Sequence, residues 1–91
     1  MKEIILDGKE MTDKTAAHKY IKKQMDFPGY YGENLDALWD LLSTTSTSTT
    51  IYLINEHEVI NNLGEYGNLL LEVFQDASFE NDSICFIKRD E

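Results

Sequence analysis

The sequence predicts an α/β fold: a small three-stranded, mainly parallel sheet with about four helices packed against it. Three observations lead there. Apolar, strand-like runs open, divide and close the chain at "KEIILDG", "TIYLIN" and "DSICFIKRD". Between them, apolar residues recur at helical spacing. Strands that alternate with helices pair in parallel, because a parallel connection needs a crossover long enough to hold a helix. With 91 residues and no internal repeat or linker, the chain is expected to form a single domain over 1–91.

"KEIILDG" reads as a short strand closed by an Asp-Gly turn. In "TDKTAAHKYIKKQM", Thr12 or Asp13 caps a helix whose Ala17, Ile21 and Met25 form a buried i+4 stripe, and Phe27, Pro28 and Gly29 end it. A second helix starts at Asn34, whose side chain suits an N-cap, and runs to about Ser43. "STTSTSTT", residues 43–50, is expected to be a flexible polar connection. "TIYLIN" has the β-branched composition of a strand buried on both faces. "EHEVINNLGEYG" predicts a short helix and "NLLLEVFQDASF" a longer one, with Leu70, Val73, Phe74 and Ala77 inward and Glu72, Gln75 and Asp76 outward. "DSICFIKRD" completes the sheet as its third strand.

Composition narrows the function. Lys plus Arg number 8 against 17 Asp plus Glu, a net charge of -9, which disfavours nucleic acid and anionic membranes and favours a basic partner. The N-terminal "MKEIILDGKE" is too weakly apolar for a signal-peptide core, and no run approaches membrane-spanning length, so a cytoplasmic protein is expected. The single cysteine, Cys85, lies in the apolar run "SICFIK" and is expected to be a buried structural thiol.

Catalytic chemistry finds little support. His18 and His57 stand at no recognisable motif spacing from a nucleophile and are expected at the surface or partly packed. There is no phosphate-binding loop, no dinucleotide turn and no zinc-type Cys/His cluster, so neither metal nor cofactor is expected. Glu33, Asp36 and Asp40 offer carboxylates for acid–base work, as in glycoside hydrolysis, but an outward i,i+4 pair gives no reason for a raised pKa. Nor does "ENLDALWD" have the spacing of a calcium loop.

Binding chemistry fares better. On the second helix Leu35, Leu38, Trp39 and Leu42 share one flank, and Asp36, Asp40 and Ser43 the adjoining one. Like charges at i,i+4 cost a helix about 0.2–0.5 kcal/mol. Asp36 in the first turn regains about 0.3–1 kcal/mol from the helix dipole. The pair is locally tolerable, and with Tyr30 and Trp39 it forms an aromatic and acidic patch suited to a cationic target.

"PGYYGENLDALWDLL" closely resembles the signature of the barstar family, intracellular inhibitors of barnase-type ribonucleases, and "ILDGKEM" and "VFQDA" follow the family's order and spacing. The resemblance implies that the second helix and its preceding loop plug a ribonuclease active site. Asp40 corresponds to the aspartate that replaces a substrate phosphate and Asp36 to its companion. Tyr30, Tyr31, Leu35 and Trp39 fall among the neighbouring contacts, Gly32 and Asn34 match the turn and cap, and Ser43 replaces a threonine. Asp76 occupies the position of a glutamate that makes a peripheral ionic contact. Thr45 falls where the family carries an aromatic residue, and Pro28 is the chain's only proline. The implied partner is a basic, extracellular-type ribonuclease, bound before or instead of secretion. An acidic adaptor binding another basic protein is the alternative, and a small carboxylate-dependent hydrolase the third reading.

Overall fold

The computed structural model describes residues 2–89. Strands β1 (Lys2–Asp7), β2 (Thr49–Ile54) and β3 (Ile84–Arg89) form one sheet in the order β1-β2-β3, parallel throughout. A 3-10 turn (Gly8–Glu10), α1 (Lys14–Met25) and α2 (Leu35–Ser43) connect the first two strands, and α3 (Glu56–Leu63) and α4 (Glu65–Glu80) the last two. The expected continuation of β3 through Asp90 and the domain's terminal residues 1, 90 and 91 lie outside the described residues.

Local chemistry sets the helix ends. The Asp13 side chain accepts the Ala16 amide hydrogen at 2.8 Å to start α1, and Asp26 ends it in the left-handed region (φ 57°), its amide donating to the Lys22 and Lys23 carbonyls. The Asp-Gly turn expected after β1 takes the form of a 3-10 turn starting at Gly8. Asp7 caps it by accepting from the Lys9 amide and also accepts from Asn55 Nδ2 at 2.9 Å. A Cβ on Gly8 would overlap the Asn55 carbonyl oxygen, so glycine is required where β1 leaves the sheet.

β2 departs from its expected burial on both faces. Because the strands are laid down in order, right-handed crossovers carry both helical connections to the same side of the sheet. Ile4, Leu6, Ile51, Leu53 and Ile84 are buried under those helices, whereas Tyr52 and Ile54 on the other side of β2 are only half-buried. Cys85 points to this uncovered side and is exposed, not the buried thiol expected from its apolar neighbours.

The long helix also begins earlier than expected, at Glu65 rather than residue 68, because the break falls at Gly64 (φ 59°, ψ -131°). Gly67 remains helical and buried, where an added Cβ would come within 2.7 Å of the Val59 carbonyl oxygen and disturb the α3–α4 contact. Leu70, Phe74 and Ala77 are buried as predicted, against a core that includes Ile21, Leu38 and Leu42.

The Ser/Thr segment is tied down rather than loose. Ser43 belongs to α2 and residues 49–50 to β2, leaving only 44–48 as connection. Thr44 and Thr45 hydroxyls bond back to the carbonyls of Asp40 and Leu41, both at 2.7 Å. Asn81 Nδ2 donates to the carbonyls of Leu42 (2.8 Å) and Thr45 (2.9 Å), fastening the end of α2 to the end of α4. No helix among the described residues is long and apolar enough to cross a membrane.

Candidate functional site: an acidic and aromatic cleft at the start of α2

The loop from Asp26 to Asn34 turns Phe27 and Tyr31 toward the core and leaves Tyr30 in solvent. Tyr31 donates its amide hydrogen to the Pro28 carbonyl at 3.0 Å, and its ring turns inward against Phe27, with centroids 4.9 Å apart. Tyr30, its neighbour, is 83% exposed. Tyr31, expected at the partner face, is 5% exposed and lines the cleft from beneath, its hydroxyl 2.7 Å from His18 Nδ1.

His18 itself is buried more deeply than the surface or partly packed position expected of it, with Nε2 2.6 Å from the Tyr66 hydroxyl. A neutral imidazole donates through one nitrogen and accepts through the other, and each hydroxyl supplies the complementary role. One histidine therefore joins α1, the loop before α2 and the first turn of α4. Burial lowers its pKa below the usual histidine value, opposed by the nearby Glu33 carboxylate, and burial raises the pKa of both tyrosines.

At the entry to α2, Asn34 Oδ1 accepts from the Ala37 amide at 2.8 Å while its Nδ2 donates to the Gly32 carbonyl at 3.2 Å. Glu33 is held in the left-handed region (φ 53°) and pairs with Lys19 at 3.7 Å. A side chain at Gly32 would press within 3.3 Å of Ala37 Cβ and Asn34 Nδ2. Loss of the cap in Asn34→Ala is expected to cost about 1 kcal/mol. The check is a thermal melt: Tm falls by several degrees, and an unchanged Tm would show that the loop holds α2 without it.

Tyr30, Tyr31, Gly32, Ala37, Asp40 and Leu41 enclose a cleft of about 300 Å³. Asp36 stands one turn from Asp40 on the exposed face, and both are solvent-facing. The ion pairs among the described residues are Lys19–Glu33 and Lys88–Glu56, so neither aspartate is neutralised internally. Leu35 and Trp39 lie half-buried against the core at the flank of the patch, and Ser43 bonds to the Asp40 carbonyl at 3.3 Å. Asp76 is exposed on α4, outside the cleft. Thr45 lines an adjoining opening of about 330 Å³ with Lys2, Phe27 and Pro28. The cleft is backed by the hydrogen-bonded Tyr31 and lined by the Asp40 carboxylate, with Asp36 on the exposed helix face beside it, a chemistry that suits a positively charged group.

A further electrostatic feature escaped the reading of composition, although the sequence contains it. All eight basic residues fall within 2–23 and at 88–89, so residues 24–87 carry no lysine or arginine and most of the 17 acidic side chains. The α2 and α4 surfaces are therefore acidic without local compensation, and α1 carries the opposing lysines.

The family model described as "Barstar (barnase inhibitor)" matches residues 1–88. The Bacillus subtilis (strain 168) protein named "Putative ribonuclease inhibitor YrdF" is 40% identical over 81 residues, covering 88% of this chain and 89% of that protein. With a family match over nearly its whole length and a relative of this similarity, the chain belongs to the barstar family.

Proposed function

We propose that this chain is a protein inhibitor of a barnase-type, guanyl-preferring ribonuclease, which it binds inside the producing cell through the α2 cleft. The observation that carries this reading is the pair of unneutralised aspartates beside an exposed Tyr30 and a preformed cleft. A ribonuclease active site concentrates basic side chains to hold RNA phosphate, and Asp40 supplies a carboxylate in place of that phosphate. The gain is differential: the same groups that bind substrate bind the inhibitor, and RNA is excluded. Family membership and the name of the Bacillus subtilis relative support inhibition of a ribonuclease. The role asks for no catalysis by this chain and no cofactor.

Pre-organisation contributes to affinity. Tyr31 is fixed by His18, Asn34 caps the helix, and the following connection is bonded to Asn81, so little loop entropy remains to be lost on docking. The test is a titration of the protein into an RNA-cleavage assay with a barnase-type ribonuclease. Stoichiometric inhibition relieved by raising the RNA concentration before mixing is the expected result. A complex that keeps full nuclease activity would instead favour an acidic adaptor.

A further inference from the structure

A parallel sheet is ordinarily covered on both faces. This one has helices on one side only, and the register sets the residues of its open side in three rows: Glu3, Thr50 and Cys85; Ile5, Tyr52 and Ile87; Asp7, Ile54 and Arg89. Ile5 is 51% and Ile87 37% exposed, and Tyr52 and Ile54 are half-buried. The central row, Ile-Tyr-Ile, reads the same from either edge of the sheet. The charges do not: both carboxylates, Glu3 and Asp7, stand on β1, and the Arg89 guanidinium stands on β3. Tyr52 lies between them, its hydroxyl donating to Glu3 Oε2 at 3.3 Å and its ring beneath Arg89 at 5.0 Å.

We propose that this face is a self-association surface, on which a second copy of the chain packs about a two-fold axis parallel to β2. Such an axis sets β1 of each copy over β3 of the other. Ile5 then meets Ile87 of the second copy, Tyr52 meets its equivalent, and Asp7 meets Arg89. An axis across the strands would instead set Glu3 against Asp7, so the charges select the first arrangement. Asp7 has the capacity for this contact. Its Oδ1 accepts from both the Lys9 amide and Asn55 Nδ2, and a carboxylate offers about four acceptor sites. The acidic surfaces of α2 and α4 belong to the helical layer behind the sheet, so pairing turns them outward.

Magnitudes decide what kind of association this is. At about 3.3 Å per residue and about 4.8 Å between strands, three rows on three strands tile roughly 300 Å² of sheet. A lasting interface takes about 800 Å² from each partner, so this pairing is weak and reversible. Each copy also carries a net charge of -9, a long-range repulsion that salt screens.

The experiment is sedimentation equilibrium of the full chain from about 20 µM to about 2 mM, a span suited to weak interfaces. Ile5→Glu, Ile87→Lys and the double variant are run beside wild type, each with a thermal melt. Wild type is expected to show a reversible monomer–dimer equilibrium that tightens with added salt. Each single variant should weaken it at least tenfold at unchanged Tm. The double variant should associate more tightly than either single one, because the two-fold axis sets each Glu against a Lys of the other copy. A wild type monomeric throughout overturns the proposal, as does a dimer that neither single variant weakens. A double variant no better than the singles overturns the two-fold arrangement. None of these readouts involves a ribonuclease, so failure here leaves the α2 function standing.

Discussion

Replacement of Asp40 by alanine is expected to abolish tight ribonuclease inhibition while leaving the fold intact. The side chain is exposed and pairs with no cation among the described residues, so its removal frees no internal partner and creates no cavity. It also relieves the i,i+4 repulsion with Asp36, so the free protein should be equal in stability or slightly more stable. In the complex the balance reverses. Truncating one member of a buried, hydrogen-bonded charge pair costs about 2–5 kcal/mol or more, because the opposing cations are left desolvated and unpaired. That range is set in part by measurements on barstar itself and is taken over rather than calculated. It corresponds to a loss of thirtyfold to several thousandfold in affinity. The measurement is an inhibition titration paired with a melt. Wild-type inhibition by a folded Asp40→Ala protein would remove the phosphate-mimic role. Asp36→Ala should cost less, since Asp36 does not line the cleft that Asp40 closes.

Much of this architecture was legible in the residues because it depends on local signals. The caps Asp13 and Asn34, the stripe Ala17, Ile21 and Met25, and the alternation of strands with helices each follow from side chains close in sequence. What failed depends on contacts across the chain. The burial of β2 on one face only follows from sheet order, and an apolar β-branched run reads alike whether one face or two are covered. Cys85 was misread for the same reason. The order of residues 44–48 comes from Asn81, more than thirty positions away, and a Ser/Thr-rich composition gives no hint of it. The full burial of His18 is not readable from its neighbours, because its two partners, Tyr31 and Tyr66, are brought to it only by packing. Within the candidate site, the motif reads Asp36, Asp40, Tyr30 and Asn34 as one patch but does not separate the tyrosine that faces outward from the one that faces in.

Acidification is expected to loosen the fold through that same histidine. His18 is buried between two hydroxyls, and burial holds its pKa below the usual 6.5 in spite of the Glu33 carboxylate. The folded state therefore prefers neutral imidazole, and the unfolded state binds the extra proton first. Stability is full above the unfolded pKa and is lost as pH falls from about 6.5 toward the lower folded value, since in that window the unfolded chain carries more protons. Below the folded value no further loss comes from this group. Charged and titratable groups facing it are Tyr31 and Tyr66 at its two nitrogens, Glu33 nearby, and on α1 Lys19, paired with Glu33, and Lys14, which lies over the Tyr66 ring at 4.6 Å. Protonation forces both ring nitrogens to donate, so both hydroxyls must accept, and the imidazolium is left in a nearly water-free site. Because Tyr31 is the floor of the cleft, strained bonding at His18 reaches the residues on either side, Tyr30 and Gly32. Denaturant unfolding between pH 8 and pH 5 should show stability falling in the lower half of that range. His18→Gln should be less stable at pH 8, by about 2–4 kcal/mol for a lost buried hydrogen bond and imperfect packing, and its stability should no longer follow pH across the window. A wild-type protein whose stability is flat from pH 8 to pH 5 would show that the charged histidine is accommodated, and that the bridge between α1, the loop and α4 tolerates a proton.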